Sequence, residues 1–114
     1  MSGYLTTHVL DTAGGRPAAG LRIELFRLTD AAREPLADVT TNADGRTDSP
    51  VLPAEAFTLG AYELVFHAGD YLRANGQPDT FLDVIPLRFK MTEDDHYHVP
   101  LLLSPFSFST YRGS

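Results

Sequence analysis

The sequence contains no cysteine and no long apolar run. Without cysteine the chain has no disulfide, no thiolate ligand for a metal and no cysteine nucleophile. No apolar stretch approaches the roughly 20 residues that a membrane-spanning helix requires. The first residues lack a basic segment followed by an apolar one, and the final RGS differs from a peroxisomal SKL-type signal. The lack of cysteine is compatible with any compartment, but the lack of targeting signals and of a membrane-spanning run predicts a cytoplasmic protein that does not bind membranes.

Basic residues are also scarce. The chain has 9 Lys and Arg against 15 Asp and Glu, which gives a net charge of −6 and a pI of about 5.0. Binding to the phosphates of nucleic acids or anionic lipids requires clustered Lys and Arg, and no such cluster occurs in the sequence. We therefore expect no nucleic-acid partner.

The common motifs of nucleotide-binding and hydrolytic enzymes are missing as well. There is no glycine-rich phosphate loop, no Gly-x-Ser-x-Gly turn, and no Ser, His and Asp at a telling spacing. These motifs therefore give no indication of a catalytic site.

The 114 residues fit one domain, predicted to span 1–114, and 43% of them are hydrophobic, which is enough for a core. Short alternating segments separated by turn residues are typical of a β-sandwich. A helix is predicted over 69–76, because the segment stops at Asn75-Gly76. A turn is predicted over 42–46, where Asn, Asp and Gly occur together. The predicted strands cover 6–10, 21–25, 36–41, 62–67, 84–89, 97–103 and 106–110. Pro86 marks the strand over 84–89 as an edge or irregular strand, and about eight strands make the fold all-β.

The four histidines are the first candidates for chemistry. His96 and His98 are two residues apart, so in a strand both side chains project to the same face. Such a pair can bind zinc, but two ligands fall short of the usual three or four. Taken alone, His98 is better explained as a core histidine, and Arg46 as a solvated charge beside a turn.

Three segments taken together change this interpretation. The sequence has LTTHVLDT at 5–12 followed by GRPA at 15–18, TNADGR at 41–46, and HYHVPLLLSP at 96–105 leading to a terminal YRGS at 111–114. In this combination the chain resembles the 5-hydroxyisourate hydrolases, also called transthyretin-related proteins, over essentially its whole length. Transthyretin itself, a hormone carrier, is similar in fold but lacks the terminal YRGS and the histidine and arginine found here at His8 and Arg46.

The resemblance implies a transthyretin-like β-sandwich of two four-stranded sheets with one short helix. It also implies a homotetramer with a central channel, in which the active sites lie at the dimer–dimer interface and are lined by the C-terminal tetrapeptide. Carried over position by position, the implied catalytic residues are His8, Arg46 and His98. The implied substrate-binding residues are His8, Arg46, Tyr111, Arg112, Gly113 and Ser114.

The reaction implied by the resemblance is hydrolysis of 5-hydroxyisourate, an intermediate of urate breakdown, at the N1–C6 bond. Attack of water on an acyl carbon needs a base and a donor for the developing oxyanion. Imidazole suits the first task and guanidinium the second, so no metal or other cofactor is expected. Either His8 or His98 could be the base. Arg112 could bind substrate or pair with a carboxylate. Two other functions remain open, a transthyretin-like carrier and a zinc protein built on the His96/His98 pair.

Overall fold

The computed structural model describes residues 3–113, and its secondary structure is mostly β. The strands are β1 (Tyr4–Thr6), β2 (Val9–Asp11), β3 (Arg16–Pro17), β4 (Arg22–Leu28), β5 (Arg33–Thr40), β6 (Gly60–His67), β7 (Val84–Met91), β8 (His96–His98), β9 (Leu101–Ser104) and β10 (Ser107–Thr110). One α-helix, α1 (Ala68–Ala74), follows β6, and a single 3-10 turn covers Ala54–Ala56. None of the helices in this part of the chain is long and apolar enough to span a membrane.

The strands form two four-stranded sheets, as expected, and a small third sheet. The strand order is β10-β9-β2-β3 in one large sheet and β5-β4-β6-β7 in the other, and β1 pairs with β8. Alternate residues of β4 and β6 are fully buried, and they form one hydrophobic cluster with residues of β2 and β9. The members of this cluster on β4 and β6 are Ile23, Leu25, Tyr62, Leu64 and Phe66. The core therefore lies between the two large sheets, because period-two alternation turns one face of each strand inward.

Two of the predicted strands are interrupted, and here the prediction of single strands was wrong. The segment predicted over 6–10 ends as β1 at Thr6 and resumes as β2 at Val9, and the segment predicted over 97–103 breaks between His98 and Leu101. Pro100 has no backbone N–H to donate to a ladder. Since the two segments pair with each other, both breaks fall at the same level of the structure.

Two other elements agree with the sequence patterns. β7 contains Pro86 and is the last strand of its sheet in residues 3–113, as the proline predicts. The helix α1 ends before Asn75, and Gly76 has a φ of 70°, a left-handed conformation that favours glycine after a helix.

A buried carboxylate attaches α1 and the loop after it to β2. Asp11 is only 2% exposed. It accepts hydrogen bonds from the Gly14 N–H, the Tyr71 hydroxyl and the Gln77 amide, each at 2.7 Å. Burial alone would raise the pKa of Asp11, but these three donors and the nearby charge of Arg16 together outweigh it and hold the pKa below its ordinary value.

Replacing Tyr71 by phenylalanine should destabilise the fold in a pH-dependent way. At pH 7 we expect the free energy of unfolding to fall by about 1.5–3 kcal/mol, the usual value of a hydrogen bond to a charged group. Because the folded-state pKa of Asp11 is depressed, its stabilisation is present above the unfolded pKa and is lost as the pH falls through the folded pKa. The difference from wild type should therefore shrink in acid. Urea unfolding between neutral pH and about pH 3 measures it.

The matched control is Tyr111→Phe, which removes a hydroxyl from a side chain that is 58% exposed. This variant should unfold like wild type at every pH. An equal loss of stability for Tyr71→Phe at all pH values would show that the Asp11 contact does not contribute as inferred.

Candidate active site

The two strand breaks position two of the predicted catalytic histidines. His8 lies in the gap between β1 and β2, and His98 is the last residue of β8. Across the gap the Val99 N–H donates to the Thr6 carbonyl at 3.0 Å, and the Leu101 N–H donates to the His8 carbonyl at 2.9 Å. As a result the rings of His8 and His98 come to a centroid distance of 6.4 Å.

The buried residue between β1 and His8 holds the break in place. Thr7 is 1% exposed, and its hydroxyl donates to the carbonyl of Val99 at 2.8 Å. Because Thr7 points inward, its neighbours Thr6 and His8 are left half-buried on the other side of the chain.

The predicted turn over 42–46 brings Arg46 opposite His8. The Asn42 side chain accepts from the N–H groups of Asp44 and Arg46, and the Val9 N–H donates to the Gly45 carbonyl at 2.8 Å. Arg46 then forms an isolated antiparallel bridge with His8. Glycine is required at position 45, because its φ is 73° and a Cβ there would lie 2.5 Å from the carbonyl oxygen of Val9.

The C-terminal tail runs back along β8. The Gly113 N–H donates to the His98 carbonyl at 2.6 Å, and the His98 N–H donates to the Gly113 carbonyl at 3.2 Å. A Cβ on Gly113 would lie 3.3 Å from Cβ of His98 and 3.4 Å from its Cδ2. A glycine thus lets the tail approach the imidazole closely. Ser114, the last predicted site residue, lies outside the described residues.

The two tail residues before Gly113 contact other parts of the protein. Arg112 donates to Asp95 at 3.4 Å, and its guanidinium lies 4.3 Å from the ring centre of Tyr97. Tyr111 borders a groove of about 240 Å³ together with Phe89 and Val99. These contacts tie the tail to β7 and β8.

The charge of Arg46 bears on both imidazoles. Burial lowers the pKa of His8 and of His98, and the nearby Arg46 guanidinium lowers both further. For His98, the neighbouring His8 and His96 act in the same direction. Both rings are therefore mainly neutral at pH 7, so each keeps one nitrogen lone pair.

The hydrogen bond of His8 shows which nitrogen keeps that lone pair. Nε2 of His8 lies 3.1 Å from the carbonyl oxygen of Asp44. Since a carbonyl only accepts, Nε2 carries the proton and Nδ1 is the basic nitrogen of neutral His8. The same carbonyl raises the pKa of His8, but less than burial and Arg46 lower it.

Thr6 also belongs to the site, although the sequence patterns did not indicate it. Its hydroxyl oxygen lies 2.7 Å from Nε2 of His96 and 2.8 Å from Nδ1 of His98. The two histidines do share a face, as their spacing predicts. The only sequence signal for Thr6 was its position two residues before His8, and its partners lie about 90 residues further on.

Comparison with known proteins identifies the family. A sequence profile described as the HIUase/Transthyretin family matches residues 5–113. The chain is 60% identical over 117 residues to 5-hydroxyisourate hydrolase 2 of Rhizobium meliloti, covering 99% of this chain and 98% of that one.

The chain belongs to the HIUase/Transthyretin family.

Two solved structures of similar proteins have the same fold as this chain. The 5-hydroxyisourate hydrolase of Klebsiella pneumoniae is 36% identical with a TM-score of 0.84, and all of both chains is covered. An (S)-allantoin synthase is 49% identical with a TM-score of 0.92. The match with the synthase covers 98% of this chain and 44% of that longer chain.

The surroundings of the His96/His98 pair in this family member are the Thr6 hydroxyl and the neighbouring rings. Within residues 3–113 no group of three or more His, Asp or Glu side chains is placed to hold a metal. One ring nitrogen of each histidine is instead directed at the Thr6 hydroxyl. In this arrangement the pair is part of a hydrogen-bonded network beside the site.

Substituting Gly45 by alanine tests whether the turn positions Arg46. The new Cβ would meet the Val9 carbonyl at 2.5 Å and Cβ of Pro17 at 3.0 Å, so we expect the turn to shift and Arg46 to lose its place beside His8. A left-handed conformation alone costs a residue with a side chain about 1–2 kcal/mol, and the free energy of unfolding should fall by more than this. Chemical denaturation measures the loss of stability. The pKa of His8, determined by NMR titration, reports whether Arg46 has moved away from it.

Gly76→Ala is the matched control, because Gly76 has a similar φ of 70° but no atom within 4 Å of the position that a Cβ would take. It should show the conformational cost and leave the pKa of His8 unchanged. If both variants behave alike, the close contact of Gly45 with β2 does not determine where Arg46 lies.

Proposed function

We propose that this chain hydrolyses 5-hydroxyisourate to 2-oxo-4-hydroxy-4-carboxy-5-ureidoimidazoline in urate degradation. The observation that carries the proposal is the convergence of two imidazoles, His8 and His98, with Arg46, whose charge, together with burial, lowers the pKa of both rings. The 60% identity with a 5-hydroxyisourate hydrolase over nearly the full length of both chains supports the choice of substrate.

Hydrolysis of a cyclic amide divides into tasks that these three groups can perform. One imidazole takes a proton from water while the water oxygen forms a bond to C6. The guanidinium of Arg46 donates hydrogen bonds to the oxygen on which negative charge develops. The N1–C6 bond then breaks, the imidazolium formed in the first step gives its proton to N1, and C6 becomes the new carboxyl group, while the other, neutral imidazole orients the water.

Neutral imidazoles suit this mechanism at pH 7. A protonated histidine could not accept a proton from water, and burial together with Arg46 holds the pKa of both rings below the ordinary value. The guanidinium therefore acts twice, as oxyanion donor and as the charge that keeps the base unprotonated.

The tail supplies the rest of the proposed substrate site. Gly113 pairs with His98, so the residue that follows it, Ser114, is proposed to bind substrate together with Tyr111. Arg112 lies over Tyr97 and donates to Asp95. These contacts favour pairing of Arg112 with a carboxylate, which anchors the tail, over direct binding of Arg112 to substrate.

A carrier function is the alternative within the same family. A passive pocket would need no neutral base beside a guanidinium, and it would produce no rate above that of buffer. Turnover therefore separates the two functions.

Replacing Arg46 by lysine should abolish most activity without unfolding the protein. Lysine keeps the charge but loses the planar pair of donors, and loss of one oxyanion donor usually costs on the order of 10²–10³ in kcat. His8→Asn and His98→Asn should be at least as harmful, because an amide cannot accept the proton. The measurement is steady-state loss of freshly generated 5-hydroxyisourate by ultraviolet absorbance, with thermal melts to confirm folding.

Arg73→Lys, on the exposed side of α1 beside Asp70 and Asp79, is the control and should keep the wild-type rate. Folded Arg46 and histidine variants with unchanged rates would remove these residues from the mechanism. A wild-type protein no faster than buffer would end the hydrolase proposal.

We also propose that the active form is a homotetramer with sites at the dimer–dimer interface. β10 and β7 are sheet edges in the described part of the chain, and edge strands offer unpaired backbone groups to another copy. Large apolar side chains are exposed at or next to these edges. They are Val84, Phe106, Phe108 and Tyr111.

Placing a charge on the edge strand β10 should separate the subunits. We expect Phe108→Lys to shift sedimentation to smaller species and to lower turnover in parallel, because a site completed between subunits is lost on dissociation. Leu59→Lys, at a 59% exposed position outside the edge strands, should change neither. Wild-type protein that is monomeric and fully active at assay concentration would overturn the tetramer.

Three further predictions from the sequence remain proposals. The chain acts as one hydrolase domain over 1–114, in the cytoplasm, and without a metal or other cofactor. The chemistry above assigns every proton to an imidazole and the oxyanion to Arg46, which is the reason for expecting no cofactor.

A further inference from the structure

The Thr6 hydroxyl lies between two imidazoles and has a single proton to share. Its oxygen is 2.7 Å from Nε2 of His96 and 2.8 Å from Nδ1 of His98. A hydroxyl can donate one hydrogen bond and accept others. If it donates to His96, it must accept from His98, and Nδ1 of His98 then carries the proton.

Residues of β1 hold both rings in this geometry. In the parallel pairing of β1 with β8, Tyr4 is opposite His96 and Thr6 is opposite His98. Tyr4 and His96 stack with centroids 4.0 Å apart and planes 5° from parallel. The stack fixes the plane of the His96 ring, and the strand pairing fixes the position of Thr6. The hydroxyl of Thr6 therefore lies within hydrogen-bond distance of Nε2 of His96 and Nδ1 of His98.

The charge beside His98 favours one direction of the hydrogen bonds. Arg46 forms a β-bridge with His8, whose ring neighbours that of His98, and its guanidinium acts on the His98 ring. A nearby cation favours a lone pair over an N–H on the His98 nitrogen that does not contact Thr6. Nδ1 of His98 then carries the proton and donates it to Thr6, whose own proton is left for Nε2 of His96.

We propose that Thr6 is a positioning residue that accepts the Nδ1–H of His98 and donates to Nε2 of His96, so that Nε2 of His98 keeps the lone pair of the catalytic base. The role in catalysis rests on the hydrolase function proposed above, whereas the direction of the hydrogen bonds does not. His96 then acts through Thr6 as the final acceptor. The two histidines then carry their protons on different nitrogens. His8 carries its proton on Nε2 and donates it to the Asp44 carbonyl, whereas His98 carries its proton on Nδ1.

Nitrogen NMR of the protein without substrate tests the direction directly. In protein with ¹⁵N-labelled histidine at neutral pH, we expect Nδ1 of His98 to have the shift of a protonated nitrogen and Nε2 that of an unprotonated one. The His98 signals are assigned by their loss in His98→Gln. Thr6→Val, which has the same shape but no hydroxyl, should move both shifts toward a mixture of tautomers, and Thr6→Ser should restore the wild-type pattern.

The kinetic arm measures what the tautomer contributes. Thr6→Val should lower kcat by about 10- to 100-fold with little change in KM, a part of the roughly 10²–10⁴ that a general base supplies. Thr6→Ser should recover most of this loss, and His96→Phe, which keeps the stack on Tyr4 but lacks the acceptor, should resemble Thr6→Val.

The outcomes separate this inference from the proposed function. A wild-type His98 protonated on Nε2, or a Thr6→Val variant with unchanged tautomer and unchanged kcat, would overturn the role of Thr6 even in an active hydrolase. A wild type that does not hydrolyse 5-hydroxyisourate would overturn the function, while the nitrogen shifts would still decide the hydrogen bonds.

Discussion

The pairing of residues 4–11 with residues 96–104 is the interaction on which the rest of the site depends. The two segments run parallel, first as β1 with β8 and then as β2 with β9, and both leave the ladder at the same level. Interruption of paired strands exposes side chains that a continuous sheet would bury or turn away. Here the interruption places His8 and His98 side by side, and the turn that carries Arg46 docks on β2 directly after it.

The site combines charge with partial burial in a way that neither achieves alone. Desolvation disfavours the charged form of an imidazole, and a guanidinium nearby does the same. Both act on His8 and His98. The protein can therefore hold two histidines close together without mutual repulsion, since neither is mainly charged at pH 7. The same guanidinium is available to an anion that develops during reaction, which links the resting electrostatics to the proposed chemistry.

The sequence patterns predicted the sandwich, the helix α1, the turn before Arg46 and the edge position of the strand with Pro86. These features follow from alternation, turn chemistry and proline, which act over a few residues. The same patterns predicted unbroken strands over 6–10 and 97–103, and that was wrong. The alternation of buried and half-buried positions continues through Thr7 and His8, so the local pattern does not reveal the first break. Pro100 is a local sign of the second, and only the pairing of the two segments places both breaks at the same level.

By itself the sequence determined which residue types were present for the proposed catalysis. The family-like segments singled out His8, Arg46 and His98, and their chemistry limits what each can do. Only the tertiary structure decided how they act together: that the His8 Nε2–H is bound to the Asp44 carbonyl, that Arg46 depresses the pKa of both rings, and that Thr6 joins His96 to His98. The physical reason is distance along the chain. Hydrogen bonds and Coulomb interactions act over a few ångströms in space, and the strands that bring these groups together are separated by about 90 residues in sequence.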